Sequence, residues 1–304
     1  GDVEGRPQGK LGEVGHRAVA DAVGQVPQGA AEQQAGRTAA AIRFADVDAD
    51  PRIDLRLTAV PTSVLLGGAS TVTADLTKNT DGVNTNSGNA PTVMAGLTWT
   101  FDAGPKGSIG APLALAVPVN GISTKTWTAN TNSAACGTAL PSISVDSGAQ
   151  TASITVQCAD LTIAKTNNVS NSSVVNQQWT WTLTVTNGGN ANAVFASGST
   201  ILSDNLPNGA NISFGAPATA ANATCSINGS NDLTCTANAG GVTIAPAGVI
   251  TVTVTATGLS PATQVNPRSG GTVTVDPGDV VVESNEGNNT AASNTVTVNK
   301  ANTT

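Results

Sequence analysis

The stretch NQQWTWTLTVTNGGN, residues 176–190, carries a threonine at every second position from Thr180 to Thr186. Apolar residues fill the positions between them: Trp179, Trp181, Leu183 and Val185. Because successive side chains of a β-strand point to opposite faces, this alternation predicts a strand with one apolar and one hydroxyl face. We expect the apolar side chains to face a core and the threonines to face outward, since threonine is β-branched and tolerates water. The alternative interpretation of the outward face is an O-glycosylated surface.

Alternating segments of this kind continue through most of the chain, separated by turn sequences such as NGG, NGSND and DPGD. This pattern predicts an all-β fold class, with two tandem Ig-like β-sandwiches and an N-terminal extension. The two halves begin alike, with an Asp-Leu strand, a turn and a threonine-alternating strand, which indicates an internal duplication. The predicted parts are an N-terminal extension (1–51), a first sandwich (52–158), a second sandwich (159–300) and a tail (301–304).

The individual strands follow from the same alternation. In the first half the candidate strands are IDLRLTAV, STVTADLTKN, AGLTWTFDA, APLALAVPV, SISVDS and TASITVQC. In the second half they are DLTIAKT, QWTWTLTVTN, SFGAPAT, ATCSIN, DLTCTA, VITVTVTATG, GTVTVD, DVVVES and NTVTVN.

Charged residues are scarce over most of the chain. The net charge is −7, and residues 1–56 hold seven of the 13 lysines and arginines and nine of the 20 acidic residues. Without a basic cluster, nucleic acid is not an expected partner. No apolar run reaches the length of a membrane span, so membrane insertion is not expected. A body so poor in charge depends on Thr, Ser and Asn, or on attached sugars, for solubility, which is typical of surface proteins.

The four cysteines, Cys136, Cys158, Cys225 and Cys235, can pair in three ways. We favour Cys136–Cys158 and Cys225–Cys235, because each pair then lies inside one predicted sandwich. The spacing excludes a zinc site, since there is no C-x-x-C and His16 is the single histidine. Disulfides formed in an oxidising compartment are the better interpretation, and they predict an extracellular or cell-surface location.

Three known kinds of bacterial domain share motifs with this chain. LTAVPTSVLLGGASTVTADLTKNTDG (57–82), followed by AGLTWTF and SVDSGAQTASITV, resembles the invasin/intimin-type Ig-like repeat. The chain departs from that family by the insertion NTNSGNAPTVM and by a cysteine pair. ADLTIAKTNN (159–168), WTWTLTVTNGGNANA, ILSDNLPNGA and the Cys225/Cys235 hairpin resemble a conserved-repeat domain of unknown function found in surface and filament proteins.

The ending VVESNEGNNTAASNTVTV is similar to the cell-adhesion-related bacterial domain. Together the resemblances cover about residues 53–299 and imply Ig-like domains of a bacterial surface protein, without implying a ligand. None of them reaches residues 1–50.

Catalytic chemistry has few candidates. VDSGAQ (145–150) is similar to the catalytic loop of aspartic proteases, but such an enzyme needs two aspartates that share a proton, and one copy occurs here. We therefore expect Asp146 to lie in a hairpin turn. With one histidine and no tyrosine, general acid–base groups are also rare. We expect neither an enzyme nor a cofactor.

Two acidic segments have weak calcium-loop character. DVDADPRID places Asp46, Asp48 and Asp50 at every second position, a spacing that can supply several carboxylate oxygens to Ca²⁺. The turn glycine and the final glutamate of a calcium loop are missing, so an acidic linker is the favoured interpretation. A similar weak case occurs near a hairpin end, at Asp276, Asp279, Glu283 and Glu286.

N-glycosylation sequons, N-x-S/T, begin only after residue 167. Their number is little above chance for a region so rich in Asn, Ser and Thr, but they would accept glycans if the source organism glycosylates. The candidate acceptors are Asn168, Asn171, Asn211, Asn222, Asn228, Asn288 and Asn302.

The N-terminal extension contains one strand-like segment, TAAAIRFADV (38–47), in which Ala40, Ile42 and Phe44 share one side. The extension is not expected to fold alone, because it cannot bury enough surface to offset its ordering entropy. Ig-like sandwiches have open sheet edges that accept an added strand. We therefore expect 38–47 to complete a sandwich of the next subunit, with Ile42 and Phe44 as anchors in its core.

A head-to-tail contact of this kind does not close on itself, so copies of the chain would assemble into a fibre. The function predicted from the sequence is therefore an extracellular structural protein, a subunit of a cell-surface fibre. The alternative is a stalk or tip fragment of a bacterial surface adhesin.

Overall fold

A computed structural model of the chain describes residues 53–79, 97–118, 120–145 and 148–301. Within these ranges the secondary structure consists of β-strands and two short 3₁₀ turns, without an α-helix. The all-β prediction is therefore confirmed. The predicted donor strand 38–47, with Ile42 and Phe44, lies outside the described residues, as do Asp46, Asp48, Asp50, Asp146 and Asn302.

In the described part of the chain before residue 159 there are eleven strands. They are β1 (Ile53–Val60), β2 (Ser63–Leu65), β3 (Ala69–Asn79), β4 (Thr98–Asp102), β5 (Gly107–Ile109), β6 (Ala114–Ala116), β7 (Ile122–Ala129), β8 (Gly137–Ala139), β9 (Ser142–Val145), β10 (Gly148–Thr151) and β11 (Ile154–Gln157). They form sheets with the orders β1-β3-β7-β5, β10-β9-β4-β6 and β2-β11-β8. Their inward side chains make one buried cluster around Trp99, Phe101 and Trp127.

The other strands follow residue 159. They are β12 (Leu161–Asn167), β13 (Ser172–Val174), β14 (Gln178–Asn187), β15 (Ala193–Phe195), β16 (Thr200–Asn205), β17 (Ile212–Phe214), β18 (Ala218–Thr219), β19 (Ala223–Ile227), β20 (Asp232–Ala237), β21 (Val242–Ile244), β22 (Val249–Gly258), β23 (Ala262–Asn266), β24 (Val273–Val275) and β25 (Asn294–Asn299).

These strands form a sheet β12-β14-β22-β17, joined by β18 at β22, and three smaller sheets, β19-β20-β16-β24, β13-β25-β23 and β15-β21. Their buried side chains form a large cluster that includes Leu183 and Phe195, and a smaller one around Trp179 and Trp181. Phe214 packs against both.

The clusters of the two halves meet between Cys158, which belongs to the first, and Ala159, which belongs to the second. We propose that this peptide bond is the boundary between two sandwiches. Hydrogen bonds cross it: Asn190 Oδ1 accepts from Cys158 N at 2.9 Å, and Ala191 N donates to Cys158 O at 3.0 Å.

The threonine-alternating strand has the predicted faces. Trp179 is 1 % exposed, and Trp181, Leu183 and Val185 are fully buried, whereas the threonines between them are half-buried. They are less exposed than a free face would be because β14 lies between two other strands. Across it, threonines of β22 stand opposite: Thr180 with Thr255, Thr182 with Thr253 and Thr184 with Thr251. Neighbouring threonines thus cover one another on a shared outer face.

Several strand predictions were wrong or missing. DVVVES is not a strand and makes one isolated bridge, between Glu283 and Ala159. β7 was not predicted, although it is a central strand and carries the buried Trp127. In the first half of this strand no side chain is buried, and buried positions begin only at Trp127. β16 and β23 were also not predicted, and both contribute to the site described next.

Candidate functional site

A lysine side chain lies inside the second half of the chain, among its buried residues. On β12 the residues Leu161, Ile163 and Lys165 alternate inward, so that the ladder carries Lys165 into the buried side of its sheet. Its Nζ donates to Oδ1 of Asp204 at 2.7 Å and to Oδ1 of Asn266 at 2.8 Å. Both side chains of the Lys165–Asp204 ion pair have zero exposed surface.

Two separate strands bring the partners to this lysine. Asp204 lies on β16, where Leu202 and Asp204 are both buried and Ser203 between them is half-buried. Asn266 ends β23, on which Gln264 and Asn266 point inward and Val265 points outward. In sequence, Asp204 is 39 residues and Asn266 is 101 residues from Lys165. We call these three residues the buried triad.

Burial shapes the protonation of the buried triad. Desolvation lowers the pKa of Lys165 to about 8, and this effect outweighs the opposing attraction of Asp204. Desolvation also raises the pKa of Asp204, although Lys165, Asn266 and Arg268 act in the opposite direction. Both shifts move the pair toward the neutral amine and the neutral carboxylic acid.

Two polar atoms of the buried triad have no partner among the described residues: Oδ2 of Asp204 and Nδ2 of Asn266. Buried polar atoms are normally paired, and leaving one unpaired costs on the order of 1–3 kcal/mol. The triad therefore contains a donor and an acceptor that the described residues leave unsatisfied.

A buried acid lies where the two halves meet. Glu283 is fully buried, and its carboxylate accepts from Leu161 N and, at 3.0 Å, from Asn289 Nδ2. Desolvation raises its pKa to about 7, and the nearby acids Glu286 and Asp276 add to the shift. Asp276 itself accepts from the backbone of Val281 at 2.8 Å.

These acids belong to the segment with weak calcium-loop character. Within the described ranges no three or more His, Cys, Asp or Glu side chains are arranged to hold a metal ion. The acids Glu283 and Asp276 instead accept hydrogen bonds from backbone and amide N–H groups, and the bond from Leu161 N to Glu283 holds the loop against β12.

Both favoured cysteine pairings are present as disulfides. Cys136 and Cys158 have Cα atoms 5.8 Å apart, and Cys225 and Cys235 have Cα atoms 4.0 Å apart. The second bond joins directly opposed positions of β19 and β20. Each disulfide lies within one half of the chain.

The sequon asparagines occupy surface turns and strand ends. Four are exposed: Asn168, Asn171, Asn222 and Asn228. Asn211 and Asn288 are half-buried, and Asn288 Nδ2 donates to Asp160 Oδ1 at 2.9 Å. Oδ1 of Asn171 accepts from Asn167 Nδ2, and Oδ1 of Asn228 accepts from Ser230 N. Side chains of these exposed loops therefore help to order them.

The sequence contained one signal for the buried triad. Lys165 falls at the third inward position of an apolar alternation, a place where a charged residue needs a buried partner. The partners could not be found in the same way, because β16 and β23 lack the alternation that marks the other strands.

A search for matching families finds none, and no characterised protein matches the sequence. Solved structures with similar shape include the C-terminal domain of the Streptococcus pyogenes antigen I/II-family protein AspA. The match has 11 % sequence identity and a TM-score of 0.40, and it covers 81 % of this chain and 99 % of that chain. A CARDB domain from Pyrococcus furiosus, solved with di-metal ions, has 20 % identity and TM-score 0.29, and covers 47 % of this chain and 90 % of its own.

The Escherichia coli adhesin FdeC has 14 % identity and TM-score 0.26, with 82 % of this chain and 66 % of that chain covered. TM-scores and identities this low do not transfer a function. In the described ranges, no helix is long and apolar enough to cross a membrane.

Proposed function

We propose that this chain is a structural segment of an extracellular cell-surface protein, built from two Ig-like β-sandwiches in tandem. The observation that carries the proposal is the pair of disulfides, one in each half of a body that has few charged residues. Disulfides persist in oxidising compartments, and a neutral Thr-, Ser- and Asn-rich surface is typical of proteins exposed to the medium.

The location is tested on intact cells of the source. A membrane-impermeant biotin reagent, applied before lysis, is expected to label this protein, with a cytoplasmic enzyme as the unlabelled control. Labelling that appears only after lysis contradicts the proposal.

The form of this protein that we favour is a fibre subunit. Support comes from a sheet edge: β1 is an eight-residue strand paired with β3 on one side, and among the described residues it is the outermost strand of its sheet. Such an edge accepts an added strand. Residues 38–47 have the matching length and an apolar side, and we propose that they bind to an edge of the next copy through Ile42 and Phe44.

Assembly is tested with the full chain and two variants, by light scattering and negative-stain microscopy. The full chain is expected to form fibres, whereas deletion of residues 1–51, or the double change Ile42→Ser with Phe44→Ser, is expected to give monomers with intact β-structure. Ala39→Ser with Ala41→Ser is the matched control, since these alanines lie outside the anchor pair, and it should still assemble. Unchanged assembly after the deletion rules out the strand donor.

A full chain that stays monomeric favours the alternative, a stalk or tip of a surface adhesin. In that case the binding partner is tested by applying the purified chain to a glycan array. Intact mass before and after deglycosylation, measured on protein from the source, tests whether the exposed sequons carry glycans.

A further inference from the structure

We propose that Lys165 and Asn266 become joined by an intramolecular isopeptide bond, which the protein forms on itself with Asp204 as the catalytic residue. The bond would link Nζ of Lys165 to Cγ of Asn266 and release ammonia. This inference does not depend on the extracellular function proposed above.

The first support is proximity. Nζ lies 2.8 Å from Oδ1 of Asn266, and Oδ1 is bonded directly to the carbon that the amine would attack. The same Nζ lies 2.7 Å from Oδ1 of Asp204, so nucleophile, acid and amide already touch. Holding reacting groups in contact removes much of the entropic barrier of a reaction that is very slow between free side chains in water.

The second support is the effect of burial on the pKa values of the amine and the acid. An ammonium group cannot attack an amide, because its nitrogen has no free electron pair. Burial lowers the pKa of Lys165 and raises that of Asp204, so moving one proton from Lys165 to Asp204, which leaves a neutral amine beside a neutral carboxylic acid, costs less here than in water. The unprotonated amine that attacks is thus more accessible here than on a free lysine.

The reaction balances without an oxidant or a cofactor. A C–N bond forms between Nζ of Lys165 and Cγ of Asn266, and the bond from Cγ to Nδ2 breaks. The departing nitrogen takes the proton of Asp204 and leaves as ammonia, while Asp204 takes one proton from the lysine nitrogen. Asp204 ends protonated, as it began, and the product is one amide in place of another.

The third support is the pair of unsatisfied atoms. Nδ2 of Asn266 has no partner among the described residues, and it is the atom that leaves. Asn266 turns its oxygen, not its nitrogen, toward the lysine. After the reaction no buried ion remains, because the lysine nitrogen has become a neutral amide.

The position of the bond would make this half of the chain resistant to mechanical unfolding. Lys165 lies on the first strand of the second half, and Asn266 ends β23, which belongs to a different sheet. A covalent link between them closes a loop over 101 residues of sequence separation and ties two sheets across one core. Pulling the chain apart by its ends would then leave most of this half folded.

The test is the intact mass of the wild-type chain, produced in a bacterium that does not glycosylate and measured after reduction and alkylation of both disulfides. The expected mass is lower than the sequence mass by one ammonia. Residues 166–267 contain no lysine or arginine, so trypsin leaves this region in one piece. In the unlinked chain that peptide begins after Lys165. In the linked chain trypsin no longer cuts after Lys165, so the peptide should be longer and include Lys165. Chymotrypsin should then give a branched peptide that contains both Lys165 and Asn266.

Three variants assign the roles. Lys165→Met and Asn266→Ala are expected to have their full sequence mass, and Asp204→Asn, which keeps both reacting residues, should also remain unlinked. Lys300→Met is the matched control, since Lys300 is exposed, and it should keep the ammonia loss. Folding of each variant is checked by the near-ultraviolet circular dichroism of the buried tryptophans.

A folded wild-type chain with its full sequence mass overturns the proposal. The same holds if Lys165→Met still loses ammonia, or if peptide mapping places the loss at an Asn–Gly pair such as Asn208–Gly209. A branched peptide in Asp204→Asn overturns the role given to Asp204.

Discussion

Nζ of Lys165 lies 2.7 Å from Oδ1 of Asp204, and neither side chain has any exposed surface. The two residues come from different sheets, and each occupies a buried position on its strand. A buried ion pair is weak evidence for stability, since desolvation of the two charges offsets their attraction. Its presence in this core is therefore better explained by a chemical role than by a stabilising one.

Lys165→Met should lower the free energy of unfolding by at least about 3 kcal/mol, because it leaves Asp204 buried without its partner. Chemical denaturation monitored by tryptophan fluorescence measures this change. Lys300→Met, at an exposed position, should stay within about 0.5 kcal/mol of wild type. Adding Asp204→Leu to Lys165→Met should recover part of the loss; a double variant less stable than the single one contradicts the explanation.

Glu283 should make stability fall as pH rises between about 4.5 and 7. The folded protein raises its pKa from 4.5 to about 7, so the folded state binds the proton more tightly than the unfolded chain. The stability from this group is complete below the unfolded pKa and is lost as pH rises through the folded pKa, by on the order of 3 kcal/mol.

The measurement is the free energy of unfolding at several pH values in this window. Glu283→Gln should reduce the slope, whatever it does to the absolute stability. The raised pKa values of Asp204 and Glu286 act with the same sign, so a smaller slope should remain. An unchanged slope in the variant would show that Glu283 is not the group that titrates.

Gly107→Ala should destabilise the first half by about 1–3 kcal/mol. A Cβ atom at Gly107 would lie 2.3 Å from the ring of Trp127, which is fully buried and cannot move away freely. Gly110→Ala is the matched control, because a Cβ atom there has no neighbour within 4 Å. Thermal unfolding of both variants tests this, and equal melting temperatures would contradict the tight contact.

Each disulfide should contribute about 3 kcal/mol, since the closed loops of 22 and 10 residues differ little in closure entropy. The variants are Cys136→Ala with Cys158→Ala, and Cys225→Ala with Cys235→Ala. Each pair serves as the control for the other, because the two bonds lie in different cores. If removal of one bond lowers the free energy of unfolding of both halves in denaturation experiments, the two halves unfold together.

Strand prediction succeeded where one face is uniformly apolar. β1, β14, β20, β22 and β25 begin and end at the residues that alternation predicts. In β16, by contrast, a register shift between Thr200 and Leu202 buries both Ile201 and Leu202, so the period of two is lost. In β23 the buried positions are Gln264 and Asn266, and Val265 is exposed. A prediction from polarity would therefore place the wrong face of this strand toward the core.

The sequence by itself determined the all-β class and the inward and outward faces of the long strands, and it favoured the cysteine pairing that the structure contains. These properties depend on neighbours along one strand or within one half of the chain, where a period of two is decisive. Only the tertiary structure decided that Lys165, Asp204 and Asn266 meet. Their contact depends on how separate sheets pack around one core, and no local pattern encodes a distance between residues 39 and 101 positions apart.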